Sequence, residues 1–189
     1  MNYSQNVLSI EESGIRKMFE STSNTDSINL GLGQPDFDTP QNIKNAAISA
    51  ITSGKTGYTH NAGIDELRVA ISNKLRYENG LDQYNSDNIM VTVGGSGALN
   101  VSIQSLINKG DRVVFSNPGF VSYKPLTTLS GGIPVPVSLK PDLHIDVNAL
   151  TEQFSNKNTK LFILNNPSNP TGTVESPDTI RSIIESASD

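Results

Sequence analysis

The sequence predicts an α/β fold in which a mainly parallel sheet is covered by helices on both faces, behind an N-terminal arm. Two patterns carry that expectation. From Ile89 onward, short runs rich in Val, Ile and Leu alternate with longer stretches of helical periodicity, and strands separated by helices pair in parallel because parallel neighbours need long crossovers. The turns after three of these runs are rich in Gly, Pro and Asn, residues that stop a strand sharply and allow the chain to change direction.

Residues 1–40 read as the arm: a short helix around Ile10 to Phe19, then the polar stretch Ser21 to Ser27 as a linker. Thr39 can cap a helix and Pro40 suits its first position; Ile43, Ala46, Ala47, Ala50 and Ile51 share one face, and Gly54 closes it. A second helix runs from Ile64 to about Tyr77, with Ile64, Leu67, Ile71 and Leu75 in register. Asp65 and Glu66 sit in its first turn, and Gly80 follows. The alternation then begins, with strands expected at Ile89–Val93, Arg112–Ser116, Ile133–Ser138 and Lys160–Leu164. Helices are expected at Ser96–Asn108, Phe120–Leu129, Val147–Phe154 and Pro177–Ser188.

Composition removes several functions. The chain has 189 residues, no cysteine and a formal charge of −5, with 14 Lys and Arg against 19 Asp and Glu, so no cationic face for a nucleic acid is expected. Without cysteine there is no thiol nucleophile or Cys-based zinc site. His60 and His144 are too few for an ordinary histidine metal cluster, and no metal is expected. The apolar runs, such as Leu161 to Leu164, fall far short of the roughly 20 residues of a membrane span, and the polar start is unlike a signal peptide. A cytoplasmic location is the default expectation.

In an open parallel sheet, ligands collect beyond the carboxyl ends of the strands. Gly94, Gly95, Ser96 and Gly97 run from the first expected strand into a helix start, where backbone N–H groups, the positive helix end and the Ser96 hydroxyl make an anion cup. A tight strand-to-helix turn also wants glycine, and the residues alone leave both readings open. After the second strand, Asn117-Pro118-Gly119-Phe120 brings an aromatic ring to the same edge, as a platform for a flat ligand or as the start of the next helix's buried face. After the last strand comes Asn165-Asn166-Pro167-Ser168-Asn169-Pro170-Thr171-Gly172. Its prolines hold Asn166 and Asn169 out of helix, so the loop is rigid enough to aim an amide.

The stretch Asn166 to Gly172 matches the Asn-Pro-x-Asn-Pro-Thr-Gly signature of the class I aminotransferases, and the chain resembles the amino-terminal half of a fold type I, pyridoxal-phosphate-dependent enzyme of the aspartate aminotransferase kind. Gly31-Leu32-Gly33-Gln34-Pro35-Asp36-Phe37-Asp38-Thr39-Pro40, Gly57-Tyr58-Thr59, Gly63 to Arg68 and Gly110-Asp111 follow in the family's order and spacing. The resemblance implies that Gly94 to Gly97 hold the cofactor phosphate, that Phe120 stacks on the pyridine ring, and that Asn169 donates to its phenolate oxygen and lies at the substrate. Tyr58 would reach the phosphate of the neighbouring subunit's cofactor in a homodimer, with a hydroxyl-tipped core ring as its plain alternative, and Gly33 would lie beside the substrate carboxylate. His60 matches no signature position. By the same resemblance residues 1–40 hold the arm and part of a small domain, and 41–189 the first part of the cofactor-binding large domain.

The parent activity so implied is transfer of an amino group from an L-amino acid to a 2-oxo acid. A β-lyase or cyclopropane amino acid synthase of the same fold type is the alternative within catalysis, and a non-catalytic cofactor-binding effector domain or a fragment without activity are those outside it. All nine lysines precede the asparagine loop and none matches the family's Schiff-base position, so no catalytic residue is assigned and the chain by itself is expected to be inactive.

Overall fold

The computed structural model describes residues 2–11, 14, 28 and 33–187. In chain order its elements are α1 (Gln5–Leu8), α2 (Gln41–Thr52), α3 (Asp65–Asn79), a 3-10 turn (Ser86–Asn88), α4 (Gly94–Leu106), β1 (Arg112–Asn117), α5 (Tyr123–Leu129), β2 (Ile133–Ser138), α6 (Val147–Phe154), β3 (Thr159–Ile163) and α7 (Pro177–Ser186). They fall into two compact units, one made of Met1–Ser13 with Gly94–Asp189 and the other of Gly14–Val93. The helix expected around Ile10 to Phe19 and the linker at Ser21 to Ser27 lie almost wholly outside the described residues.

The first unit is built on a three-stranded parallel sheet of order β2-β1-β3. Alternation along the central strand decides what each face covers. Val113 and Phe115 point to one side and pack with Ile103 of α4, with Ile107 just after it and with Tyr123 of α5, whereas Val114 points to the other and packs with Ile145, Leu150 of α6 and Ile183 of α7. Val113 and Val114 are fully buried, as a strand covered on both faces requires. The edge strand β2 carries Pro134 and Pro136. Ile133 N–H donates to Asp111 O and Leu139 N–H to Asn117 O, so the odd positions face β1 and both prolines place their missing donors on the outer edge. That edge therefore cannot donate to a further strand at either position.

Local chemistry explains the helix ends. Asp146 Oδ1 accepts from Ala149 N–H at 3.1 Å to start α6, and Ser176 Oγ accepts from Thr179 N–H at 3.1 Å with Pro177 in the first turn of α7. In the second unit α3 opens on Asp65 and Glu66 and ends on Gly80 in the left-handed conformation. Arg68, with its side chain only 10% exposed, fastens α3 to the segment behind it. It donates to Ser86 O at 2.7 Å, Ile89 O at 3.2 Å and Asp65 Oδ1 at 3.1 Å.

Three expectations need correction. Ile89–Val93 is not a strand: Val91 N–H donates to Ala62 O at 2.9 Å in a loop, and β-branched composition makes a ladder only where a partner strand is supplied. The helix expected from Ser96 begins at Gly94, so the glycines form its first turn instead of preceding it. The apolar face expected on α2 contributes no buried residue, and Ile43, Ile48 and Ile51 of that helix are all exposed. Elsewhere the elements begin or end within a few residues of the expected positions.

Candidate functional site

The carboxyl end of the first unit's sheet collects three of the segments singled out by sequence. α4 is joined to the start of β1 by a short turn and so runs antiparallel to it, which returns its N-terminus to the carboxyl end of the strand. Leu99, near that N-terminus, and Phe120, just past β1, pack on the same cluster of Ile103, Phe115 and Tyr123. The asparagine loop follows β3, which is parallel to β1, and so leaves the sheet at the same edge.

Gly94 has φ +67°, a conformation that favours glycine, and a Cβ built on Gly94 or Gly95 would meet nothing within 4 Å. α4 has 13 residues and no acidic side chain in its first turn, so the positive end of its backbone dipole carries no internal counter-charge there. The donor chemistry therefore fits a phosphate: backbone N–H groups, a helix end and the exposed Ser96 hydroxyl.

Phe120 lies in the turn before α5, where Tyr123 N–H donates to its carbonyl at 3.1 Å. Its ring is half-buried, edge-on to Tyr123 at 5.7 Å and 74°. The ring is thus anchored on the core yet not enclosed by it. Gly119 is required for that placement, because a Cβ there would stand 2.3 Å from Ser116 O.

The asparagines of the last loop divide their work. Asn165 Oδ1 accepts from Asn169 N–H at 2.7 Å, and Asn166 Oδ1 accepts from Glu175 N–H at 2.9 Å. Ser168 N–H donates to Thr173 O at 2.9 Å and Gly172 N–H to Ser168 O at 2.8 Å, closing the loop on itself. The peptide bonds before Pro118, Pro167 and Pro170 are cis. The side-chain oxygens of Asn165 and Asn166 thus hold the loop's shape; the side chain of Asn169 is exposed and has no hydrogen-bond partner among the described residues.

Gly33 and Tyr58 belong to the other unit. Gly33 is exposed with open space where a Cβ would stand, and the Tyr58 ring is fully exposed in this chain. Sequence reading missed Glu175 and His144. Glu175 is 8% exposed, and its carboxylate takes Ile145 N–H at 2.8 Å and faces His144 Nδ1 at 3.2 Å. A single Glu between Val174 and Ser176 carries no spacing signal, and its partners lie 30 and 31 residues away.

A parallel sheet covered by helices on both faces, whose carboxyl edge collects a glycine-built helix start, an aromatic residue and an asparagine loop, defines a domain of the α/β class. The chain belongs to the aminotransferase class I and II family, whose model matches residues 25–189. It is similar to a probable aspartate aminotransferase of Methanocaldococcus jannaschii, with 47% identity over 180 residues covering 95% of this chain and 47% of that protein. It is also similar to an aspartate aminotransferase of Pyrococcus horikoshii, at 39% identity covering 98% of this chain and 48% of that protein. Among solved structures, the aspartate aminotransferase of Thermus thermophilus with maleate superimposes with a TM-score of 0.90 at 33% identity, over 100% of this chain and 50% of that one. The chain thus spans about half the length of the relatives it matches. Among the described residues no helix is long and apolar enough to cross a membrane.

Proposed function

We propose that the protein to which this chain belongs transfers an amino group from an L-amino acid to a 2-oxo acid with pyridoxal 5′-phosphate, in the cytoplasm, and that this chain supplies one side of the cofactor's bed. The observation that carries the reading is the division of labour in the asparagine loop: Asn165 and Asn166 each commit Oδ1 to a backbone N–H that holds the loop, whereas neither polar side-chain atom of Asn169 is engaged among the described residues. When bound, the cofactor supplies an electron sink for the carbon that bears the substrate's amino group.

In this reading Gly94, Gly95, Ser96 and Gly97 bind the phosphate through the first turn of α4. Phe120 offers its face to the pyridine ring, fixing the ring's plane and excluding water from that side. Asn169 donates a hydrogen bond to the ring's phenolate oxygen and lies next to the substrate, as does Gly33. Tyr58, fully exposed on its own chain, donates to the phosphate bound by a second copy in a homodimer. The names of the relatives favour aspartate as amino donor.

The test is to titrate the purified chain and its Asn169→Ala form with pyridoxal 5′-phosphate, following ring absorbance. Loss of one charge-assisted hydrogen bond weakens affinity about tenfold or more. Equal affinities would remove Asn169 from the site. Amino transfer from aspartate by the whole protein tests the activity separately.

A further inference from the structure

We propose that Glu175 is a positioning residue for the asparagine loop, tying that loop to the connection between β2 and α6 and so setting the aim of Asn169; the inference rests on the reading of Asn169 just given. The Glu175 side chain is only 7% exposed. A carboxylate removed from water is costly unless its oxygens are engaged, and here both are: Oε1 accepts from Ile145 N–H at 2.8 Å and Oε2 faces His144 Nδ1 at 3.2 Å. Its partner Ile145 belongs to the buried apolar cluster of Val114, Leu150 and Ile183, and an apolar side chain at 175 would need no such partner. What the carboxylate adds is a fixed point.

That point is joined to the loop through the same residue's backbone. Glu175 N–H donates to Asn166 Oδ1 at 2.9 Å, at the foot of the loop that Ser168, Gly172 and Thr173 close. The loop is therefore pinned twice, by β3 on one side and by Glu175 on the other, and among the described residues Asn169 has only its backbone N–H engaged. Rotation of residues 172–176 after loss of the carboxylate frees Asn166, and the amide of Asn169 loses its direction without any change to the phosphate turn of α4.

The experiment compares the purified chain with its Glu175→Ala, Glu175→Gln and Asn169→Ala forms. The readouts are amide exchange at Ser168, Asn169 and Gly172 and affinities for pyridoxal 5′-phosphate and for inorganic phosphate. Glu175→Ala is expected to raise exchange at the three amides and to weaken pyridoxal phosphate about tenfold, with inorganic phosphate unchanged. Glu175→Gln keeps an acceptor for Ile145 and restores both. The Glu175→Ala, Asn169→Ala double variant binds pyridoxal phosphate no more weakly than Asn169→Ala alone, because both act on one contact. Unchanged exchange, a parallel loss of inorganic phosphate, or additive losses in the double variant would overturn the proposal. If Glu175→Ala does not fold, Asn166→Ala cuts the other tie and carries the same expected pattern. If the unsubstituted chain holds pyridoxal phosphate no better than inorganic phosphate, it is the reading of Asn169 that fails, and the three exchange rates still decide the clamp.

Discussion

Gly95→Ala separates the two reasons a glycine can stand at a helix start. If Gly95 is there for the turn, a methyl group strains the backbone and destabilises the fold; if it is there for a ligand, the fold gains and the anion is excluded. The structure decides the sign in advance. Gly95 lies inside the first turn of α4, is not among the glycines with positive φ, and has nothing within 4 Å of a built Cβ. Alanine therefore meets no steric opposition, and the lower entropy of its unfolded chain stabilises the protein by about 0.4–1 kcal/mol. For a chain of this size that raises the thermal midpoint by roughly 1–4 °C. In the proposed phosphate turn the same methyl adds bulk where the anion would approach, and inorganic phosphate affinity is expected to fall about tenfold, equivalent to roughly 1.4 kcal/mol. Thermal melts followed by circular dichroism and a phosphate titration followed by amide chemical shifts in α4 read the two effects independently. A lowered midpoint with unchanged phosphate affinity would falsify the cup and leave Gly95 as a turn residue.

Two further predictions concern stability. Arg68→Met keeps most of the side chain's volume but strands Ser86 O and Ile89 O. It is expected to cost about 3 kcal/mol and to speed amide exchange across residues 86–91; a change within experimental error would show that the latch is dispensable. Burial pushes the Tyr123 phenol above its ordinary value. A raised folded-state value means that the associated stability is fully present below about pH 10 and is lost as pH rises through the folded value. Tyr123→Phe removes that group, so urea midpoints measured at about pH 8 and about pH 11 should differ less in the variant than in the parent. An equal alkaline loss in both would assign the effect to other groups.

The sequence alone determined the sheet-and-helix alternation from Arg112 onward, because strands such as Val113–Phe115 and helices such as Val147–Phe154 are set by short-range periodicity. It also determined the segments that gather at the sheet's carboxyl edge, since a glycine run, an aromatic after Pro-Gly and a double Asn-Pro loop are local in the chain and a parallel sheet brings its strand ends to one edge. Tertiary structure decided three other matters. Ile89–Val93 has strand composition yet finds its hydrogen bond in a loop at Ala62, and composition cannot name a partner. The three asparagines of the loop look equivalent in sequence, but which side-chain oxygens hold the loop depends on acceptor geometry between Asn165 and Asn169 and between Asn166 and Glu175. Glu175 itself is one unremarkable acidic residue until folding withdraws it from water beside Ile145 and His144. A carboxylate acquires a positioning role only when burial makes its partners obligatory, and burial is a property of the packed chain.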